Sequence, residues 1–372
     1  MGKRKGSSGE IPRQRRGRLM AKVRKTGASA MLITRPQDVA YLSGFGGEDS
    51  WLLVGQRQGC LITDGRFGEQ AGDECPGLEV HVRKVGLAAA TAEVLKGRGV
   101  RSLGVQAGYM TLAERAALDK AVGAKRIKPV GGLVEELRQV KDDEEVRIIR
   151  KAVAIAERAF ERLTAGGRKG FVGRSERELA AELEYLMRQE GADGPAFATI
   201  VAVSAHGSLP HHRPGATRVR GGDAVLIDFG ATVDGYCSDL TRVLFVDKIP
   251  PKLLEIYEVV RQAQAAAIAA IKAGVSCSSV DEAARDVIEA AGYGPQFVHS
   301  LGHGLGREVH EAPRLAKLYR PRLKAGMVVT VEPGIYLPGV GGVRIEDDVL
   351  VTRGGCRRLS TLSVQASAMV LE

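Results

Sequence analysis

Cysteine is sparse in this chain: Cys60, Cys75, Cys237, Cys277 and Cys356 are the only five in 372 residues, and none forms a CxxC pair. An odd, scattered set speaks against a disulfide framework or a thiolate zinc site and points to a reducing cytoplasm. Long apolar runs are also missing. No stretch approaches the ~18 to 20 residues of a membrane span, and the Lys/Arg-rich start lacks the apolar segment of a secretory signal. No short-period repeat is visible. What remains, 44% hydrophobic and 26% charged, is the composition of a soluble globular protein long enough for two cores.

The net charge of +10 is concentrated at one end. Residues 1–25 hold ten Lys/Arg against one acid, Glu10, which leaves +1 for the rest of the chain. The reading is a solvated basic arm over residues 1–19. A polyanion-binding arm is the alternative, but the body has no comparable basic run, so nucleic acid is not the expected partner.

Residues 20–139 alternate strand and helix patterns, as in "AMLIT", "WLLVG", "CLITD", "LEVHVRK" and "RSLGV" with "AAATAEVLKGRG" and "TLAERAALDKAV" between them. This is an α/β domain. A long amphipathic helix, "DDEEVRIIRKAVAIAERAFERL", follows a boundary placed near Val140. Residues 140–372 mix helices opened by capping-box patterns (Ser175 with Glu178, Ser279 with Glu282) with antiparallel hairpins, an α+β domain.

Chemistry concentrates in that second half. "VLIDFGATVDGYCSDLTR" reads as a hairpin with Asp234-Gly235 near its turn. Asp228 and Asp239 fall on one face, directly opposite or diagonal according to the turn position. Cys237 alternates with Asp239 and is read as a packing residue rather than a nucleophile. A second hairpin, "MVVTVEPGIYLPGVGGVRIEDDVLV", carries Glu332 and Glu346, and "VHSLGHGLGREVHEAPR" sets His303 among glycines. Buried carboxylates this close repel unless compensated. Four carboxylates and one imidazole suit two divalent cations, whose +4 balances the four acids; manganese, cobalt, iron and zinc are all candidates.

Asp228-x10-Asp239, "GHGLG", "VEPGIY" and "VRIEDDVLV" closely resemble the metallopeptidases of the methionine aminopeptidase/prolidase clan. The resemblance implies a pita-bread catalytic domain, and "YLSGF" and "LITDGRFGEQA" are similar to the creatinase-type N-terminal domain of the proline-specific members. It further implies that Asp228 chelates one metal, His303 and Glu332 the other, and that Asp239 and Glu346 bridge both, with manganese or cobalt foremost. Glu332 would also shuttle a proton to the leaving nitrogen. His211 in "LPH", His310 in "VHEAPR" and Arg344 match residues of the proline-specific branch, His310 as a donor to the reacting carbonyl oxygen. Arg314 resembles an arginine that binds the terminal carboxylate of the substrate in some prolidases. His212 departs from the usual pattern and is expected to alter the substrate rim.

The function implied is a cytoplasmic dinuclear-metal exopeptidase for Xaa-Pro bonds, aminopeptidase P-like or prolidase-like, acting on peptides with proline second. A homodimer is compatible with this class, and no membrane partner is expected. The alternatives are a methionine aminopeptidase-like enzyme, or a non-catalytic pita-bread protein using the basic arm on RNA.

Overall fold

The computed structural model describes residues 9–56 and 58–372. Lys3, Arg4 and Lys5 of the basic arm lie outside the described residues. The chain divides between Leu137 and Arg138 into two compact units.

The first unit is built on a six-stranded sheet. Its order is Glu79–Val82, Gly59–Thr63, Trp51–Val54, Ala30–Ile33, Leu103–Gln106 and Ile127–Val130. Ala30–Ile33 runs antiparallel to Trp51–Val54 and parallel to Leu103–Gln106. The inner strands Ala30–Ile33 and Trp51–Val54 are apolar throughout because both faces are covered, while the edge strands Glu79–Val82 and Ile127–Val130 carry exposed residues. Met31, Ile33, Leu52 and Leu61 enter one core cluster, and Ala30, Leu32, Leu53 and Ile62 enter the other. Strand periodicity alone produces this division.

The arm reading of residues 1–19 needs correction over its last ten residues. Glu10–Val23 is a helix whose Leu19, Met20 and Val23 are buried in the first of those clusters. Two of its arginines are tied down as well: Arg15 donates to the Tyr41 carbonyl at 3.2 Å, and Arg16 to the Leu42 carbonyl at 2.6 Å. The dense charge masks the apolar stripe that docks the helix.

In the second unit, Asp142 caps the helix Asp143–Thr164 by accepting the Glu145 N–H at 2.9 Å. Ile149, Val153, Ala156, Phe160 and Leu163 line its buried stripe. The Ser175–Glu178 capping box opens Glu176–Gln189 as expected. The helix Cys277–Ala290 is instead capped three residues before the predicted position, by Ser276, which accepts from the Ser279 N–H. Four sheets, of three, four, five and two strands, pack with these helices around one continuous core. The result is α/β followed by α+β.

Candidate active site

Two hairpins carry the acids, and the ladder is interrupted at Asp239 in the first and at Glu332 and Glu346 in the second. In the first, Asp234 and Gly235 have φ of 50° and 74°, the left-handed pair of a two-residue hairpin turn. Thr232 faces Cys237 and Leu240 faces Phe229, so the same register puts Asp239 opposite Gly230. Asp228 faces Thr241. The two aspartates are therefore diagonal neighbours.

The second hairpin shows the same construction. Val331 faces Asp347 and Gly334 faces Arg344, so one register carried through the gap places Glu332 opposite Glu346. An isolated bridge between Thr241 and Glu346 joins the two hairpins, and the Thr241 hydroxyl donates to Glu346 Oε2 at 2.6 Å. Behind the site, Arg242 and Asp347 form a fully buried ion pair at 2.7 Å.

The short strand Gly302–Gly304 brings His303 to these acids. Its glycines are required by close approach: a Cβ at Gly302 would lie 2.2 Å from the Thr330 carbonyl oxygen, and one at Gly304 2.3 Å from that of Ala312. His303 Nδ1 lies 3.1 Å from the Gly304 carbonyl oxygen, which fixes the proton there and leaves Nε2 with its lone pair. That lone pair faces acids, 3.3 Å from Glu332 Oε1 and 3.6 Å from Asp239 Oδ2. The His310 ring stands edge-on to His303 with centroids 4.3 Å apart.

The electrostatics fit a cation. Burial, then the charges of Glu346, Asp228 and Glu332, push the Asp239 pKa well up. Burial does the same to Glu346, with Glu332 and Asp228 adding to it. Glu332 is raised by burial and by Asp228, against the pull of Arg344. Burial drives His303 down to about 4. Asp228 Oδ1 is buried with no hydrogen-bond partner. Ligand atoms of Asp239, His303 and Glu346 all lie within 4.8 Å of one another. An imidazole lone pair, an unpartnered carboxylate oxygen and several repelling acids are what divalent cations would satisfy.

Arg344 is almost fully buried and makes three contacts. It donates to Asp228 Oδ2 at 2.6 Å, Thr241 Oγ1 at 3.1 Å and Tyr336 Oη at 2.8 Å. Tyr336 Oη lies 2.8 Å from His299 Nε2. Thr241, Tyr336 and His299 were not singled out from the sequence, although Thr241 lies two residues from Asp239 on the alternating pattern. His211 and His310 are exposed at the residue level; partial burial of the imidazole and then His211 lower the pKa of His310, and burial, then Arg344 and His211, lower that of His299. Arg314 is exposed and pairs with His303 across neighbouring strands. His212 does not reach a rim: its Nε2 lies 2.9 Å from the buried Glu176. Cys237 is buried in the core, and burial raises its thiol to about 11, so it packs rather than attacks.

No helix among the described residues is long and apolar enough to cross a membrane. The model of Metallopeptidase family M24 matches residues 147–353, and that of the Creatinase/Prolidase N-terminal domain matches residues 15–140. The chain is 39% identical to a Xaa-Pro dipeptidase of Pyrococcus furiosus, covering 89% of this chain and 92% of that one. A solved Xaa-Pro dipeptidase from Bacillus anthracis superposes with a TM-score of 0.92 at 38% identity, over 97% of this chain and 100% of the other. An X-Pro aminopeptidase from Thermotoga maritima gives 0.85 at 36% identity, over 94% and 99%. The pita-bread expectation holds. With the family pattern spanning both hairpins and the histidine loop, the chain is a member of metallopeptidase family M24.

Proposed function

We propose that this protein hydrolyses Xaa-Pro bonds, with dipeptides ending in proline as the preferred substrates. Asp228, Asp239, His303, Glu332 and Glu346 would hold two divalent ions, manganese or cobalt being the best match to an oxygen-rich set. When bound, such ions supply Lewis acidity and a water nucleophile at neutral pH.

The side chains contribute the rest. Arg344 orients Asp228 through Oδ2 and leaves Oδ1 for a cation. Glu332 would relay a proton from the attacking water to the leaving proline nitrogen. His310 donates an N–H to the oxyanion that forms on the scissile carbonyl. His211 positions the substrate from the neighbouring segment. Arg314 offers an exposed guanidinium to the terminal carboxylate of a dipeptide, which favours the prolidase-like over the aminopeptidase P-like form.

The observation that carries this reading is the edge-on stacking of His310 against His303, which sets a donor beside the acid cluster. Steady-state hydrolysis of Ala-Pro, Ala-Pro-Ala and Met-Ala-Ser with manganese, cobalt and zinc tests it. Ala-Pro is expected to be cleaved fastest. Cleavage of Met-Ala-Ser without any Xaa-Pro activity would overturn the proposal in favour of a methionine aminopeptidase-like enzyme.

A further inference from the structure

Glu176, His206 and His212 take no part in the proposed chemistry, yet they form a second cluster of metal-type ligands among the described residues. Glu176 opens its helix and is fully buried. A buried carboxylate is costly unless paired and hydrogen-bonded. This one accepts four bonds. Oε1 receives the Val203 N–H at 2.9 Å and His206 Nδ1 at 2.7 Å; Oε2 receives His212 Nε2 and the Gly215 N–H, both at 2.9 Å. Burial raises its pKa, but these bonds outweigh burial and keep it below the ordinary value. With four donors on two oxygens, the lone pairs are used and the cluster is complete without a cation.

All four donors belong to one short segment, 203–215, and that segment carries His211. Inside it, the Leu209 N–H donates to the His206 carbonyl at 2.9 Å, and the His212 N–H to the Leu209 carbonyl at 3.1 Å. Its other side rests on the strand Gly341–Arg344, where a Cβ at Gly342 would fall 2.1 Å from the Gly207 carbonyl oxygen. The segment is thus held between a buried anchor and the strand that ends in Arg344. His212 is drawn inward to Glu176, and its ring lies against His206 with centroids 4.4 Å apart. Of the two adjacent histidines, only His211 stays exposed.

We propose that Glu176 is a positioning residue for the peptidase reaction: through His206, His212 and two backbone N–H groups, its carboxylate fixes segment 203–215 so that His211 is presented to substrate. This rests on the role given to His211 in the proposed function.

The test uses the full chain loaded with manganese and compares Glu176→Gln, His211→Ala and the double variant on Ala-Pro. Glutamine keeps the shape, but its amide nitrogen, in either orientation, meets a backbone N–H from which it cannot accept, that of Val203 or of Gly215. Glu176→Gln should lower kcat/KM about tenfold, and the double variant should match His211→Ala within about twofold, since coupled residues are not additive. Metal content should be the same in all variants. A double variant about tenfold worse than His211→Ala, or loss of an additional bound metal in Glu176→Gln, overturns the proposal. The imidazole NMR signal of His211 gives a readout free of substrate: it should shift and broaden in Glu176→Gln, and an unchanged signal also sinks the idea. Wild-type protein inert towards every Xaa-Pro peptide would remove the functional reading, while that signal still decides whether Glu176 holds the segment. Should Glu176→Gln fail to fold, the His206→Asn/His212→Asn variant, which keeps the carboxylate and its backbone donors, carries the same expectations.

Discussion

Arg344 donates to Asp228 across the two hairpins, Nη2 to Oδ2 at 2.6 Å, with both side chains largely removed from solvent. One acid of the cluster is thus oriented by a protein cation through one oxygen only. Arg344→Met should leave Asp228 without that restraint and lower kcat/KM for Ala-Pro about 10- to 100-fold, the range for losing a group that orients a metal ligand. Arg344→Lys should not restore activity, because a single ammonium cannot reproduce a planar fork bonded to Asp228, Thr241 and Tyr336. Kinetics of the two variants side by side check this; a lysine variant as active as wild type contradicts it.

Asp239→Ala removes one of the two acids that face His303 and leaves Asp228, Glu332 and Glu346 behind. Elemental analysis of the purified variant should give well below two metals per chain. Retention of both would show that Asp239 is not a shared ligand.

His310→Ala should reduce kcat by about 10² to 10³, the scale for removing one donor to an oxyanion. Metal content should stay unchanged, since His310 touches the ring of His303 and supplies no ligand. Metal loss in parallel with activity would recast His310 as a support for His303.

Glu311, next to His310, has a buried side chain paired with Arg138 and, at 3.3 Å, with Lys141. Burial raises its pKa, but the two cations outweigh burial and hold it below the ordinary 4.5. A depressed carboxylate contributes stability that is fully present above its unfolded value and fades as pH falls through the folded one. Glu311→Gln should cost about 3–5 kcal/mol at pH 7 in urea titrations, as for one partner removed from a buried pair. The gap from wild type should narrow below about pH 4.5. A gap independent of pH would show that the pair's charge contributes nothing.

The acids and His303 were legible because each sits in a local pattern: strand alternation, an Asp-Gly turn, a glycine-flanked histidine. The facing of Glu332 and Glu346 was not, since the long turn at 338–342 hides a register that only the pairing reveals. Supporting residues were harder still. Arg344 and Asp228 are 116 positions apart, Thr241 and Glu346 105, and no periodicity links such partners. In the sequence His212 looks like a rim residue, since nothing there shows that Glu176, 36 positions away, draws it inward. The helix Glu10–Val23 looks in part like an arm because its arginines hide Leu19 and Met20.

The raised pKa values of Asp239, Glu332 and Glu346 have a consequence for how the protein is charged with metal. Acids whose protonated form is favoured when no cation is near compete with the metal for it, so loading exchanges hydrogen ions for metal. Uptake should therefore acidify a weakly buffered solution, and its apparent affinity should climb steeply with pH. Calorimetry in buffers of different ionisation heat would count the protons released per metal gained.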